Sequence, residues 1–242
     1  MLPYFLLMAG YRRILLKLSG EALAGKPGFG LDAESAQRIA GDLAEAASSG
    51  VEIGVVVGGG NFFRGVQASD TGLDRISVDQ IGMLATALNA IALRDYLRTR
   101  GQPAVVFSAI PMPPILDGFS LPRVLDHLSD KEVVIFAAGT GNPFFSTDSA
   151  AALRAAEIDA SLLAKATKVD GVYDKDPVRF PDASRYERIS YNEVLANELA
   201  VMDASAVSLC RDNEIPVVVF DLTVPGNIQR LVKGEAIGTR ID

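Results

Sequence analysis

Short apolar runs rich in β-branched residues alternate along this chain with longer segments whose apolar positions recur at helical spacing. Arg12 to Leu18, Val51 to Val57, Ala104 to Phe107, Val133 to Ala138, Ala160 to Ala164 and Val217 to Phe220 read as strands. Their near-continuous hydrophobicity is that of strands covered on both faces. Between them, the spacing predicts helices over Ala33 to Ser49, with Asp32 as N-cap, over Leu73 to Thr99, and over Leu121 to Leu128 after Ser120. A further helix starts with Thr147 as its expected N-cap and Asp148 in its first turn. Ser190-Tyr-Asn-Glu193 has the form of a capping box, and Pro225 and Gly234 bracket a last helix. Such alternation predicts an α/β fold with parallel strands joined by right-handed crossovers. The stretch from 170 to 188, rich in Asp, Pro, Arg and Tyr, reads as a loop excursion rather than a domain boundary. Residues 1–10 are expected to be an N-terminal extension, with Met8 a plausible start that would make residues 1–7 mis-assigned. Residues 11–242 are expected to form a single domain.

Composition narrows the function classes. With 49% hydrophobic residues the chain is not of the disordered class. No uninterrupted apolar run reaches the roughly 18 residues of a membrane span, so no membrane partner is expected. The 23 basic and 30 acidic residues give a net charge of −7, which argues against non-specific nucleic-acid binding. One cysteine, Cys210, allows no internal disulfide and is compatible with a cytoplasmic location. One histidine, His127, excludes zinc sites built on two histidines; its place late in a helix suits a structural role.

Three loops that follow strands carry candidate chemistry. The first is Lys17-Leu18-Ser19-Gly20, where an ammonium at a strand end meets an open turn. The second is Gly58-Gly59-Gly60-Asn61, whose glycines allow close backbone approach and which is followed by Arg64, a side chain suited to bidentate phosphate contact. The third runs from Ala138 to the helix start at Thr147, where free N–H groups and the helix dipole favour an anion. Each also has a plain structural reading: a strand-end charge, a tight turn, a first-turn acid. Strand ends of an open parallel sheet converge on one edge, however, and three such loops there are poorly explained by packing. The G-x-x-x-x-G-K-[ST] and G-x-G-x-x-G patterns are both absent, which weakens the P-loop and dinucleotide-fold readings.

Five motifs together resemble the amino acid kinase family, from about Tyr11 to the C-terminus. They are Arg13-Ile-Leu-Leu-Lys-Leu-Ser-Gly-Glu-Ala22, Gly58-Gly-Gly-Asn-Phe-Phe-Arg-Gly65, Asp79-Gln-Ile-Gly-Met-Leu-Ala-Thr86, Ala138-Gly-Thr-Gly-Asn-Pro-Phe-Phe-Ser-Thr-Asp-Ser149 and Lys165-Ala-Thr-Lys-Val-Asp-Gly-Val-Tyr173. The fourth is similar to the uridylate-phosphorylating branch of the family, with Ser146 where that branch often has Thr. The resemblance implies a three-layer αβα sandwich with a mainly parallel central sheet and both substrates on one sheet edge. It implies transfer from ATP with Mg²⁺ to UMP, giving UDP and ADP in pyrimidine nucleotide biosynthesis, with no protein ligand to the metal assigned. It implies catalytic roles for Lys17, Arg64, Asp148 and Asp203, with Asp203 at the position of the family's lysine-orienting acid and both Asp148 and Asp203 expected to orient Lys17 or a Mg²⁺ shell. On the ATP side it implies Lys17, Leu18, Ser19, Gly20, Gly60, Arg64, Lys165, Thr167, Tyr173 and Asp176. On the UMP side it implies Gly59, Arg64, Asp79, Thr140, Gly141, Asn142, Pro143, Phe144, Phe145, Ser146 and Thr147. Phe144 and Phe145 can equally be core residues. The loop Gly25, Lys26, Pro27, Gly28, Phe29 and Gly30 matches a region linked to GTP activation, although Pro27 would stiffen it. A homohexamer with UTP as feedback inhibitor is also implied. Two other readings stay open: a kinase of the same fold acting on an amino acid, carbamate or a phosphorylated isoprenoid, and a nucleotide-binding storage or regulatory protein that has lost catalysis.

Overall fold

The computed structural model describes residues 10–26, 28–63, 72–177, 179–199 and 201–242. Most of the expected N-terminal extension, Pro27 and Arg64 lie outside the described residues.

The central strands are β1 (Arg13–Leu18), β2 (Glu52–Val57), β3 (Ala104–Ser108), β5 (Val133–Ala137), β6 (Leu162–Thr167) and β8 (Val217–Asp221). Three short strands complete the sheet: β4 (Asp117–Gly118), β7 (Arg188–Ile189) and β9 (Thr239–Ile241). The order is β4-β3-β5-β2-β1-β6-β8-β9-β7, with β9 antiparallel to β8 and the other pairs parallel. This bears out the expected mainly parallel α/β sheet. The three short strands and the antiparallel turn were not foreseen, because two or three residues carry no readable periodicity.

The helices are α1 (Ala33–Ala47), α2 (Arg75–Thr99), α3 (Leu121–Ser129), α4 (Thr147–Glu157), α5 (Tyr191–Ala196), α6 (Ala204–Asp212) and α7 (Asn227–Val232). They sort onto two faces by the alternation of the strands. Ile14, Leu16 and Leu18 of β1 point toward α1, α2 and α7. Leu15, Val56 and Leu163 point to the other side, where α3, α4, α5 and α6 pack. The result is the three-layer αβα sandwich, with a core on each face.

The caps show how local sequence sets the helix starts. Asp32 Oδ2 accepts the Ser35 N–H at 2.8 Å, as expected, and Ser190 and Glu193 make the expected reciprocal box. The expected Thr147 cap is corrected: Ser146 is the N-cap of α4, and Thr147 is its first helical residue. Ser146 has extended dihedrals and its Oγ accepts the Asp148 and Ser149 N–H groups at 3.0 and 3.4 Å. Both hydroxyl residues have the chemistry to cap, and the backbone geometry selects the earlier one. Helix α6, preceded by Asp203, escaped the sequence reading.

Helix α2 is long and apolar enough by length and composition to cross a membrane, although no uninterrupted apolar run is present. Its buried residues Ala87, Ala90, Leu93 and Leu97 pack in the core that covers the sheet.

Candidate active site

The loops at the carboxyl ends of β5, β2, β1 and β6, four neighbouring strands, gather on one edge of the sheet. The register of β1 and β6 sets Lys17 directly beside Lys165. Residues paired across neighbouring strands point to the same face, so two ammonium groups meet there. Asp148, in the first turn of α4, sits between them. Its Oδ1 lies 2.8 Å from Lys17 Nζ, an ion-pair contact off the hydrogen-bond axis, and its Oδ2 accepts a directed hydrogen bond from Lys165 Nζ at 2.7 Å. Lys165 also donates to the Val201 carbonyl.

All three side chains are nearly buried, 12–13% exposed. Burial by itself would raise the Asp148 carboxyl; the charges of Lys17 and Lys165 reverse this and hold it below the ordinary 3.8. Lys165 is lowered from 10.5, chiefly by burial and further by Lys17, against the attraction of Asp148 and Asp203. The cluster therefore carries two cations on one anion and has spare positive charge for a polyanion.

Asp203 departs from its expected part. It accepts hydrogen bonds from Ser146 Oγ and from Ser149 Oγ (3.2 Å), and Ser149 Oγ is 2.9 Å from Ser205 Oγ. The acid beside Lys17 is Asp148. Asp203 joins the starts of α4 and α6 and reaches Lys165 only through its field. The physical reason is its place as the residue before α6, facing the Ser146 cap rather than the strand ends.

A first cavity of about 280 Å³ is lined by Gly59, Gly60, Asp79, Thr140, Asn142, Phe145, Ser146 and Thr147, all expected site residues. Phe63, Val78, Gly82, Met83, Thr86 and Gly139 also line it and were not foreseen as site residues, though Gly82, Met83 and Thr86 stood inside the third motif. Gly60, expected on the donor side, opens here. Gly59 has to be glycine: a Cβ would stand 2.7 Å from the Gly82 carbonyl of α2. The N–H groups of Gly59 and Gly60 have no acceptor among the described residues, which leaves two donors at the cavity wall.

Phe144 and Phe145 are 65% and 54% exposed, so neither is a core residue. Phe145 lines the cavity, whereas Gly141, Pro143 and Phe144 do not. The Phe144 N–H donates to Asp79 Oδ2 at 2.7 Å, and Arg75 holds the same carboxylate at 2.9 Å from each oxygen. Asp79 thus ties α2 to the loop that ends at Ser146, while facing the cavity.

A second cavity, of about 560 Å³, is lined by Lys165, Thr167, Tyr173 and Asp176 of the residues expected on the donor side, together with Val201 and Val219, whereas Lys17, Leu18, Ser19 and Gly20 do not line it. Tyr173 Oη donates to Asp170 at 2.7 Å. The charged cluster links the walls of the two cavities: Thr147 of the first precedes Asp148, and Asp148 binds Lys165 of the second. Gly25 and Lys26 border a third cavity of about 420 Å³ with Arg38, Thr167 and Lys168, while Phe29 of the same loop is 71% exposed. Among the described residues no cluster of three or more His, Cys, Asp or Glu side chains is placed to hold a metal ion.

A sheet edge with paired lysines, a bridging aspartate and two flanking cavities agrees with the comparison to known families. The amino acid kinase family model matches residues 12–221, and the chain belongs to that family. Among solved structures it is similar to the UMP kinase of Bacillus anthracis, at 36% identity and a TM-score of 0.93 over 96% of each chain. It is also similar to the UMP kinase of Ureaplasma parvum, at 35% identity and a TM-score of 0.90 over 96% of this chain and 98% of that one. The uridylate kinase of Archaeoglobus fulgidus is more distant, at 31% identity and a TM-score of 0.72 over 95% and 99%.

Proposed function

We propose that this protein transfers the γ-phosphoryl group of ATP to UMP, giving UDP and ADP, as a cytoplasmic enzyme of pyrimidine nucleotide synthesis. The observation that carries the reading is the Lys17–Asp148–Lys165 cluster between two cavities. ATP occupies the second cavity and UMP the first. The phosphates meet at the cluster, where the lysines and the open Gly59 and Gly60 N–H groups offset repulsion between two polyanions. Phosphoryl transfer needs positioning and charge stabilisation more than proton transfer. Asp148 keeps both lysines aimed at the gap. Arg64 is assigned to the UMP phosphate by resemblance alone. Mg²⁺ would be held by the ATP phosphates and water rather than by a protein cage, and would supply further offset of phosphate charge there.

Thr140, Asn142 and Phe145 form the uracil-reading wall, with polar groups for the ring edge and an aromatic face beside it. An ADP-release assay with UMP, CMP and dUMP tests this. UMP is expected to be turned over far faster than CMP; equal rates would refute a dedicated uracil site. No ADP release with any nucleotide would leave the non-catalytic reading instead.

The hexameric state and its GTP and UTP regulation belong to the same proposal. Ile81, Leu84 and Leu88 make an exposed apolar stripe on one face of α2, and this supports self-association. Light scattering is expected to give a hexamer mass for the wild type and a smaller species for Leu84→Glu/Leu88→Glu. A monomeric wild type at micromolar concentration would contradict it.

A further inference from the structure

The glycine loop after β2 hangs on two asparagines that share their side-chain hydrogen bonds. Asn61 is 1% exposed, and Asn89, on α2, is 0% exposed. Asn61 Nδ2 donates to Asn89 Oδ1 at 2.9 Å and to the Gly30 carbonyl at 2.8 Å. Asn89 Nδ2 donates back to Asn61 Oδ1 at 2.7 Å and to the Gly58 carbonyl at 2.7 Å. Each amide nitrogen has two N–H donors, and both are used on both residues. A buried polar network satisfied in this way is stiff, and half of it cannot be removed without stranding the rest.

Three segments of the site converge on this pair. The Gly58 carbonyl is the first acceptor of the glycine loop. The Gly30 N–H donates to the Asn61 carbonyl at 2.8 Å, so the 28–30 turn is clamped on both sides. The turn after Lys17 closes on the same spot: a Cβ on Gly20 would lie 2.6 Å from the Gly58 carbonyl and 2.7 Å from Asn61 Oδ1. One turn back along α2, Thr86 Oγ1 donates to the Met83 carbonyl and accepts the Ala138 N–H, each at 2.7 Å. Helix α2 is therefore the rail on which both loops of the first cavity are set.

We propose that Asn61 and Asn89 act as one positioning pair for the acceptor nucleotide. They fix the backbone of Gly58 to Gly60 so that the Gly59 and Gly60 donors stand where the acceptor phosphate binds. Neither asparagine lines the cavity, so the effect runs through the loop. The proposal rests on reading the first cavity as the UMP site.

The test compares Asn61→Ala, Asn89→Ala and the double variant. Leu97→Ala, buried elsewhere on α2, serves as the stability control. Calorimetric UMP affinity without ATP, KM and kcat, and the unfolding temperature are measured for each. Each single asparagine variant is expected to bind UMP about 10- to 100-fold more weakly, the scale of one stranded buried polar group. The double variant is expected to be no worse than the worse single, as one unit requires. Leu97→Ala is expected to lose thermal stability and keep its UMP affinity. Asn89→Asp, which keeps size but turns a donor into an acceptor facing Gly58, is expected to show the same affinity loss if the alanine variants do not fold. Folded variants with wild-type UMP affinity, or losses that add in the double variant, would overturn the pair. A wild type that does not bind UMP would instead overturn the reading of the cavity, and this proposal with it.

Discussion

Lys17→Ala is expected to cut turnover by about 10²–10³-fold while the protein stays folded, the cost of losing one preorganised donor at a developing charge. The β1–β6 register puts its ammonium beside that of Lys165, and Asp148 holds both. Its neighbours in β1 are fully buried core residues, so the strand does not depend on it for packing. What the variant loses is one of the cluster's two ammonium groups facing the gap between the cavities. UMP affinity without ATP should change little, because the glycine-loop donors remain. Lys17→Arg should not restore the rate: a planar fork does not fit a slot shaped for an ammonium against Asp148 Oδ1. Single-turnover kinetics at saturating ATP and UMP, with circular dichroism as the folding control, provide the check. Near wild-type turnover in Lys17→Ala would remove the lysine from the mechanism.

The second large effect is expected for Asp148→Asn. This change keeps the shape of the side chain and removes the carboxylate that, among the described residues, contacts both ammonium groups. Breaking a buried ion pair by neutralising one partner typically costs about 3–5 kcal/mol, because the remaining charge is uncompensated. Two lysines share that fate here, so the variant should lose a large part of an ordinary stability of about 5–15 kcal/mol. Turnover should fall as well, since neither lysine is then held in place.

The loss should depend on pH in a defined direction. The Asp148 carboxyl is lowered in the folded protein, so its contribution is present above the unfolded value of 3.8 and fades as pH falls below it. Lys165 is already lowered by burial, and the amide variant should lower it further. The variant then recovers stability as pH rises toward 10.5 and the lysine sheds its proton. Urea denaturation across pH should show the gap between wild type and variant widest near neutrality, narrowing at both ends. A gap that does not vary with pH would contradict this account.

Particular residues show which parts of the site could be read locally. Lys17, Asp148, Lys165, Asp79 and the glycine run stood in motifs, and the structure brings them to one sheet edge. Thr147 as cap was a near miss, because Ser146 has the same hydroxyl and only the backbone turn separates them. Asp203 was foreseen as a partner of the lysine, but it faces two serines. The deciding fact, the direction in which α6 meets α4, has no local signature. Asn61 stood inside a recognised motif and Asn89 in a helix interior; neither position indicated that the two amides would meet.

The sequence by itself determined the six long strands and all the described helices but α6, the mainly parallel α/β class and the side chains able to hold phosphate. These follow from hydrophobic period, caps and glycine-rich turns, which act over a few residues. Only the tertiary structure decided which acid lies between the lysines, which loop residues face a cavity, and that one helix carries both acceptor loops. Those facts depend on strand register and helix packing between residues far apart in the chain, where buried charges and amides settle on whichever partners the folded layers bring within reach.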